Sequence, residues 1–405
     1  MDLRKKRIAI ISLGYLWFPC ESGTSRFYDI ANAFVKSGYE VECITTSFQH
    51  FKKEDRDKKL ILSQNYPFKI TFINAPPYKK NIDIRRVWSN RKAAVNLKRY
   101  LREHIKEYDA VYVSIPANNI AALVTEICKK ENIPVVVDIE DLWPEAMSMV
   151  IKNKLLRDIL LYPFKRDAEK AYKNADGIIG TSEDYTDRAF QKRKRNIPNE
   201  TVYVGCNLEE FDKGVKKYSH EIEKKEGEFW VTYAGSISTS YDIKTLIDAV
   251  YGLKNKSVHA QILGTGSLKD ELEKYSESMD NIHFWGFTPY PKMAAVLSKS
   301  DVVVNSFVKG APQSIVNKVG DYLASGKPMI NTLENPVFCN LISKNNVGIT
   351  INPEDVEQLS QAIKRYIYNK EYLQEGVSAR KLAEKRFDRL FSYVKIVELI
   401  GTIIK

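Results

Sequence analysis

The chain has 405 residues, 44% of them apolar, with only 19 glycines and 15 prolines, which is more than one hydrophobic core usually holds and enough to build two. Its 62 lysines and arginines exceed its 51 aspartates and glutamates, for a net charge of +11, and its five cysteines are scattered with no Cys-x-x-Cys pair. Those features suggest neither a disulfide framework nor a cysteine zinc site; they agree with a soluble chain of two domains in a reducing cytoplasm, and no membrane span is expected.

Basic MDLRKKR followed by apolar IAIISL imitates a signal peptide. It lacks a small-x-small cleavage site, and Gly14 ends the run at strand length, so residues 7–13 are expected as the first buried strand. Further strands are expected at 40–45, 68–74, 110–114, 134–138, 177–181 and 201–204, with helices at 25–37, 89–107, 118–130 and 162–174. In the second half, strands fit 229–233, 260–263, 282–284, 301–305, 328–331 and 348–351, again separated by helical stretches. This alternation predicts an α/β chain with two doubly wound, Rossmann-like domains. Residues 1–206 form the first domain and 229–384 the second. The polar segment 207–228 reads as a linker between them. A last helix over 382–403 carries Phe387, Leu390, Phe391, Val394, Ile396, Val397 and Ile400 at helical spacing, and 385–405 is assigned as a separate terminal helix.

The charge is uneven. Residues 1–200 hold 36 basic and 26 acidic side chains, residues 201–405 hold 26 and 25, and residues 51–100 alone hold 14 and 4. That last stretch includes Pro76-Pro77-Tyr78-Lys79-Lys80 and Arg85-Arg86-Val87-Trp88. No recognised nucleic-acid module accompanies it, so nucleic acid is not an expected partner. An anionic membrane surface and a plain solvated loop remain as readings of equal weight. Residues 151–173 alternate basic with apolar side chains and fit either a helix lying on a bilayer or one covering a sheet, with Pro163 dividing it in two. The five histidines, His50, His104, His220, His259 and His283, form no ligand-spaced cluster, and each reads as an ordinary surface or packed histidine; no metal is expected.

Chemistry concentrates in a few loops. Residues 305–330 (NSFVKGAPQSIVNKVGDYLASGKPMI) join a buried strand through Gly310 and Pro312 to a helix expected to begin near Ser314, whose free N–H groups would meet an anion, most naturally a diphosphate. Along it Asp321 can accept from sugar hydroxyls and Lys318 carries a movable charge. This segment resembles the donor-site helix of the family 4 glycosyltransferases, in the branch that builds bacterial capsular and other surface polysaccharides. Five further pieces follow the family's order. Pro19-Cys20-Glu21-Ser22-Gly23-Thr24-Ser25-Arg26 resembles the family's first glycine loop, and residues 135–147 (VVVDIEDLWPEAM) its Asp-Leu-Trp-Pro-Glu segment. Tyr233-Ala234-Gly235-Ser236-Ile237 and Leu263-Gly264-Thr265-Gly266-Ser267 resemble its donor-domain turns, and His283-Phe284-Trp285-Gly286-Phe287 completes the set. A nicotinamide-binding reading lacks its glycine fingerprint after the first strand.

The resemblance implies the GT-B architecture, two domains facing across a cleft with the C-terminal helix crossing back to the first. It also implies sugar transfer, with retention, from a nucleotide diphosphate sugar, UDP-linked by preference, to a saccharide or polyprenyl-diphosphate-linked saccharide. Donor contacts would come from Gly23, Gly235, Ser236, Gly264, Gly266, Phe287, Gln313, Ser314, Ile315, Lys318 and Asp321. Asp141, Lys318 and Arg26 would serve catalysis, and Asp138, Glu140 and Glu145 the acceptor, although Asp138 and Asp141 are also common turn and helix caps. No cofactor is implied, and the enzyme would work in the cytoplasm, peripheral to the inner membrane face. The chain departs from the pattern at three places. Gln313 is neutral where many members have a glutamate, and Ser236 and Tyr241 stand where many have Arg and Lys. A catalytically silent binding partner and a nucleotide-sugar epimerase therefore remain alternatives.

Overall fold

The computed structural model describes residues 4–21, 25–80, 83–145, 153–191, 196–369 and 372–404. The chain divides into one unit of residues 1–202 with 392–405 and a second of residues 203–391. Its strands in chain order are β1 (Arg7–Ile11), β2 (Glu40–Thr46), β3 (Phe48–Gln49), β4 (Glu54–Asp55), β5 (Lys69–Ile73), β6 (Ala110–Ile115), β7 (Val135–Ile139), β8 (Gly177–Gly180) and β9 (Asn199–Thr201) in the first unit. The second unit has β10 (Phe229–Ala234), β11 (Val258–Leu263), β12 (Ile282–Gly286), β13 (Val302–Asn305), β14 (Met329–Asn331) and β15 (Gly348–Thr350).

The first unit is a seven-stranded sheet in the order β5-β2-β1-β6-β7-β8-β9, and the second a six-stranded sheet in the order β12-β11-β10-β13-β14-β15. All these neighbours pair in parallel. In both, the order reverses beside the first strand, and the crevice beyond the carboxyl ends of the strands at that point is where such sheets hold ligands. Helices cover both faces, which is why the strands read as continuous apolar runs rather than alternating ones. In the first unit Ala9, Ile11, Val111, Val113, Val135 and Val137 face one core, and Ile8, Ile10, Tyr112 and Val136 the other.

Several elements differ from the sequence expectation for identifiable reasons. Segment 207–228 is no linker. A helix, Leu208–Tyr218, starts on the Asn207 cap and buries Leu208 and Phe211, and Ile222 follows it into the same core. The expected final helix is interrupted. Cys206 N–H donates to the Phe387 carbonyl at 2.8 Å and Arg389 N–H to the Cys206 carbonyl at 3.0 Å, so Asp388 is extended and its neighbours leave the helical ladder. Only the last piece, Val394–Ile403, lies with the first unit, where Ile396, Val397, Leu399 and Ile400 pack with Ile8 and Ile10. Lys154–Asn174 is one helix despite Pro163. Pro163 and Ile159, whose carbonyl loses its helical donor, are both exposed, so water can take the freed acceptor. Helix Ile84–His104 begins five residues before the expected 89 because the Asp83 side chain caps it, accepting from Arg85 N–H at 2.9 Å. Among the described residues, no helix is long and apolar enough to cross a membrane.

Candidate active site

In the second unit, β10 and β11 run side by side and end in glycine turns that touch. Gly264 has φ 133°, and a Cβ there would lie 1.8 Å from the Gly235 carbonyl oxygen. A Cβ on Gly266 would lie 2.0 Å from the Ile237 oxygen. The glycines are therefore required by backbone-on-backbone packing between the turns, which are also joined by Ile237 N–H donating to the Thr265 carbonyl at 2.9 Å. Gly235 performs a further task. A side chain there would meet the Lys318 ammonium at 3.2 Å, so the missing Cβ opens the edge to that charge.

Lys318 is the first residue of helix Lys318–Ala324. Its Nζ lies 4.1 Å from the ring centre of Tyr241, 4.2 Å from that of Tyr233 and 5.2 Å from that of Phe307, and donates to the Tyr233 hydroxyl at 3.1 Å. The rings attract the cation through their faces. Burial nevertheless pushes the Lys318 pKa well below its ordinary value. Three residues on, burial pushes the Asp321 carboxyl up to about 6, against a 2.8 Å hydrogen bond from the Tyr290 hydroxyl and the field of Arg389.

The helix does not begin at Ser314. It starts at Lys318, preceded by a tight turn in which Val319 N–H reaches the Val316 carbonyl at 3.1 Å, while Ile315 turns into the core. The helix N-terminus expected at Ser314 is thus displaced to Lys318. Gln313 Oε1 is buried with no hydrogen-bond partner among the described residues, an acceptor left unsatisfied. Ser314 is buried, Ser236 is exposed with its carbonyl accepting from the Tyr233 hydroxyl at 2.7 Å, and Phe287 stands 78% exposed past β12.

The first unit treats its charges differently. Arg26 opens helix Arg26–Lys36 and is buried. Its Nε donates to Asp138 Oδ2 at 2.8 Å, its Nη1 to the Val202 carbonyl at 2.9 Å, and its guanidinium lies 5.0 Å from the Tyr393 ring centre. Arg26 and Asp138 therefore satisfy each other inside the unit, instead of meeting phosphate and acceptor as expected from the sequence. Glu140 lies 3.8 Å from Arg26, and Glu145 accepts from Arg188 at 2.7 Å. Asp141 accepts from the Trp143 indole at 3.2 Å, and burial raises its pKa. Gly23 lies outside the described residues.

Sequence reasoning missed the aromatic cage of Tyr233 and Phe307, and it missed Tyr15, His50, Tyr78 and Arg86, which gather near Asp141. The available signal was the placement of Tyr233 and Phe307 at the carboxyl ends of strands, beside the turns already identified.

Residues 23–210 match the model of the family described as Glycosyltransferase Family 4, and residues 228–369 that of Glycosyl transferases group 1. The putative colanic acid biosynthesis glycosyl transferase WcaI of Escherichia coli (strain K12) is 22% identical over 228 residues, 53% of this chain and 54% of that protein. The chain thus spans about half the length of that curated relative. The crystal structure of HepE from Anabaena in complex with UDP has a TM-score of 0.71, at 14% identity over 98% of this chain and 100% of that one. Sucrose-phosphate synthase from Thermosynechococcus elongatus has a TM-score of 0.70, at 14% identity over 98% and 99%. At such identities the likeness is one of fold.

Proposed function

We propose that this chain, which matches the Glycosyltransferase Family 4 model over residues 23–210 and the Glycosyl transferases group 1 model over residues 228–369 and has the GT-B fold, is a family 4 glycosyltransferase that transfers a sugar, with retention, from a UDP-linked donor to a saccharide or polyprenyl-diphosphate-linked saccharide in bacterial surface polysaccharide synthesis. The observation that carries the reading is Lys318, a lysine caged by aromatic rings beside two glycine turns, with the phenol of Tyr233 as its hydrogen-bond partner. Such a cation has little reason to be buried unless a diphosphate completes the site. The relative described as a putative colanic acid biosynthesis glycosyl transferase and the solved neighbour in complex with UDP support the choice of pathway class and base.

In the transfer, the bond between the anomeric carbon and the diphosphate oxygen breaks as the acceptor hydroxyl oxygen bonds to that carbon. Negative charge grows on the leaving oxygen, and Lys318 would stabilise it preferentially in the transition state. Asp321 would accept from the ribose hydroxyls, and Gln313 Oε1 from a donor-sugar hydroxyl. Asp141 would orient the acceptor hydroxyl, whose proton leaves with the diphosphate. Arg26 acts only by holding Asp138 in place. With Lys318 on the diphosphate, no metal is required, and an anionic inner-membrane surface would bring the acceptor to the basic first unit.

The test is release of UDP from UDP-sugars in EDTA, with an extract of lipid-linked saccharides as acceptor. Acceptor-dependent turnover without metal is expected. Turnover that needs a divalent ion, or a GDP-sugar used in preference, would replace this reading.

A further inference from the structure

Helices Ile84–His104, Asn118–Glu131 and Lys154–Asn174 pack along the first sheet, the second between the other two. All three start at the carboxyl edge of the sheet, but not at the same height. Asn118 Nδ2 donates to the Phe164 carbonyl at 2.9 Å, and Asn119 Nδ2 to the Asn90 carbonyl at 3.4 Å. The middle helix therefore begins level with Phe164 of one neighbour and Asn90 of the other. At 1.5 Å per residue, helix Lys154–Asn174 projects past it by about 15 Å and helix Ile84–His104 by about 9 Å. Trp143 joins the projecting ends, with the Arg86 guanidinium 4.7 Å and the Phe164 ring centre 6.4 Å from its own ring centre.

Those ends are apolar where a helix in water is usually polar. Helix Lys154–Asn174 covers the sheet with Ala168, Ala171 and Tyr172, whereas residues 153–163 contain no buried side chain. Yet Leu155, Leu156, Ile159 and Leu160 stand there at the spacing of one helix face, 73%, 51%, 63% and 50% exposed. On the other end Ile84 and Trp88, four residues apart on one face, are 87% and 50% exposed. Cations accompany both. Helix Ile84–His104 carries seven lysines and arginines against one acid, and Lys154–Asn174 six against three, leaving +6 and +3. Arg166 and Lys170 follow Leu155 and Ile159 by about three turns on the same face, so one stripe changes from apolar at the tip to basic behind it. Their pairs with Asp167 and Glu126 are exposed and weak. Projecting apolar ends flanked by cations complement a layer that is anionic at its surface and apolar beneath. The exposed rings of Trp88 and Tyr162 suit the boundary between the two.

We infer that these two helix ends attach the first unit to an anionic bilayer, with Leu155, Leu156, Ile159, Leu160, Ile84 and Trp88 entering the acyl boundary and the cations behind them meeting lipid phosphates. The inference rests on the function proposed above and deepens its membrane part, which named only charge: it assigns the side chains and makes the attachment an insertion. The Trp143 indole donates to Asp141 at 3.2 Å. The inserted ends therefore border the residue assigned to the acceptor hydroxyl, and a lipid-linked saccharide would meet Asp141 without leaving the bilayer.

The test is flotation of the full chain with vesicles of phosphatidylethanolamine and phosphatidylglycerol, at low and high salt, beside vesicles of phosphatidylcholine alone. Binding to the anionic vesicles is expected, weakened by high salt but not abolished, and stronger than to phosphatidylcholine. Leu156→Ser with Ile159→Ser should lower the partition coefficient roughly tenfold or more while UDP binding and the melting temperature hold, because both side chains are exposed in the free protein. Lipid brominated along its acyl chains should quench tryptophan emission, and Trp88→Phe should remove most of that quenching. No binding to anionic vesicles, or binding that high salt abolishes and the serine pair leaves intact, would overturn the proposal. So would a chain that ignores vesicles and sediments as a dimer which the serine pair dissociates, since a second copy would then cover this face. UDP titration keeps the two levels apart. A chain that floats with vesicles but binds no UDP counts against the glycosyltransferase reading, and one that binds UDP but ignores vesicles counts against this surface.

Discussion

Arg26 and Lys318 are each the first residue of a helix at the ligand-binding edge of a parallel sheet, Arg26 after β1 and Lys318 after β13. Their surroundings are opposite. Arg26 is closed off by Asp138, with a carbonyl and a tyrosine ring completing its shell. Lys318 has aromatic faces and a phenol in place of a carboxylate. The difference teaches that a basic residue at such an edge can be closed on its own counter-charge or held by aromatic faces, and that only the second arrangement suits the ligand role proposed for Lys318. One is an ion pair inside the first unit; the other is a lysine ringed by aromatic side chains in the second.

The largest effect expected from breaking this contrast is on stability. Arg26→Met leaves the Asp138 carboxylate buried without its partner and should cost about 3–5 kcal/mol, read as a lower urea midpoint. Replacing both, as Arg26→Met with Asp138→Leu, should recover much of that. If Arg26→Met instead melts like wild type but loses nucleotide affinity, Arg26 is a ligand group after all. Lys318→Met should do the reverse, lowering turnover by about 10²–10³ while the melting temperature holds or rises, since a desolvated amine is replaced by an apolar chain of similar length. Gly264→Ala forces a methyl group onto the Gly235 carbonyl and should destabilise by about 1–3 kcal/mol, with nucleotide affinity falling as the turns part. An unchanged affinity would separate those turns from the donor site.

The smallest effect is one of pH. Burial, Arg86 and Lys53 hold His50 at about 3 in the folded chain, against ~6.5 when unfolded. The unfolded chain therefore binds the extra proton first, so this contribution is complete above pH ~6.5 and is lost as pH falls towards 3. Asp321, raised to about 6, acts with the opposite sign, since its contribution is lost as pH rises through that value. Comparing wild type with His50→Gln isolates the histidine. The variant should lose less stability between pH 7 and 5, and an identical slope would show that His50 titrates normally.

Much of the fold was legible because parallel strands covered on both faces must be apolar throughout, and the turns between them must contain glycine or proline. The helix in 208–218 was legible too, for Leu208, Phe211, Val215 and Tyr218 recur at spacings of a helix face; its high charge drew the reading towards a linker. The break at Asp388 was not, since a bridge to Cys206 far away in sequence decides it. The glycine turns were found, but their reason, contact between two backbones, belongs to tertiary structure. Arg26 and Lys318 look alike in sequence because the decisive partners, Asp138 for one and Tyr233 and Phe307 for the other, lie on different strands.

The central claim is that Lys318 supplies the counter-charge for the donor diphosphate without a metal. Calorimetric titration of UDP in EDTA, in two buffers of different ionisation enthalpy, tests it most directly. The account predicts binding with net uptake of a proton, because a lysine depressed by burial becomes charged beside diphosphate, and predicts that Lys318→Met loses both the proton and at least roughly tenfold in affinity. Equal affinity and equal proton uptake in the two proteins would contradict it.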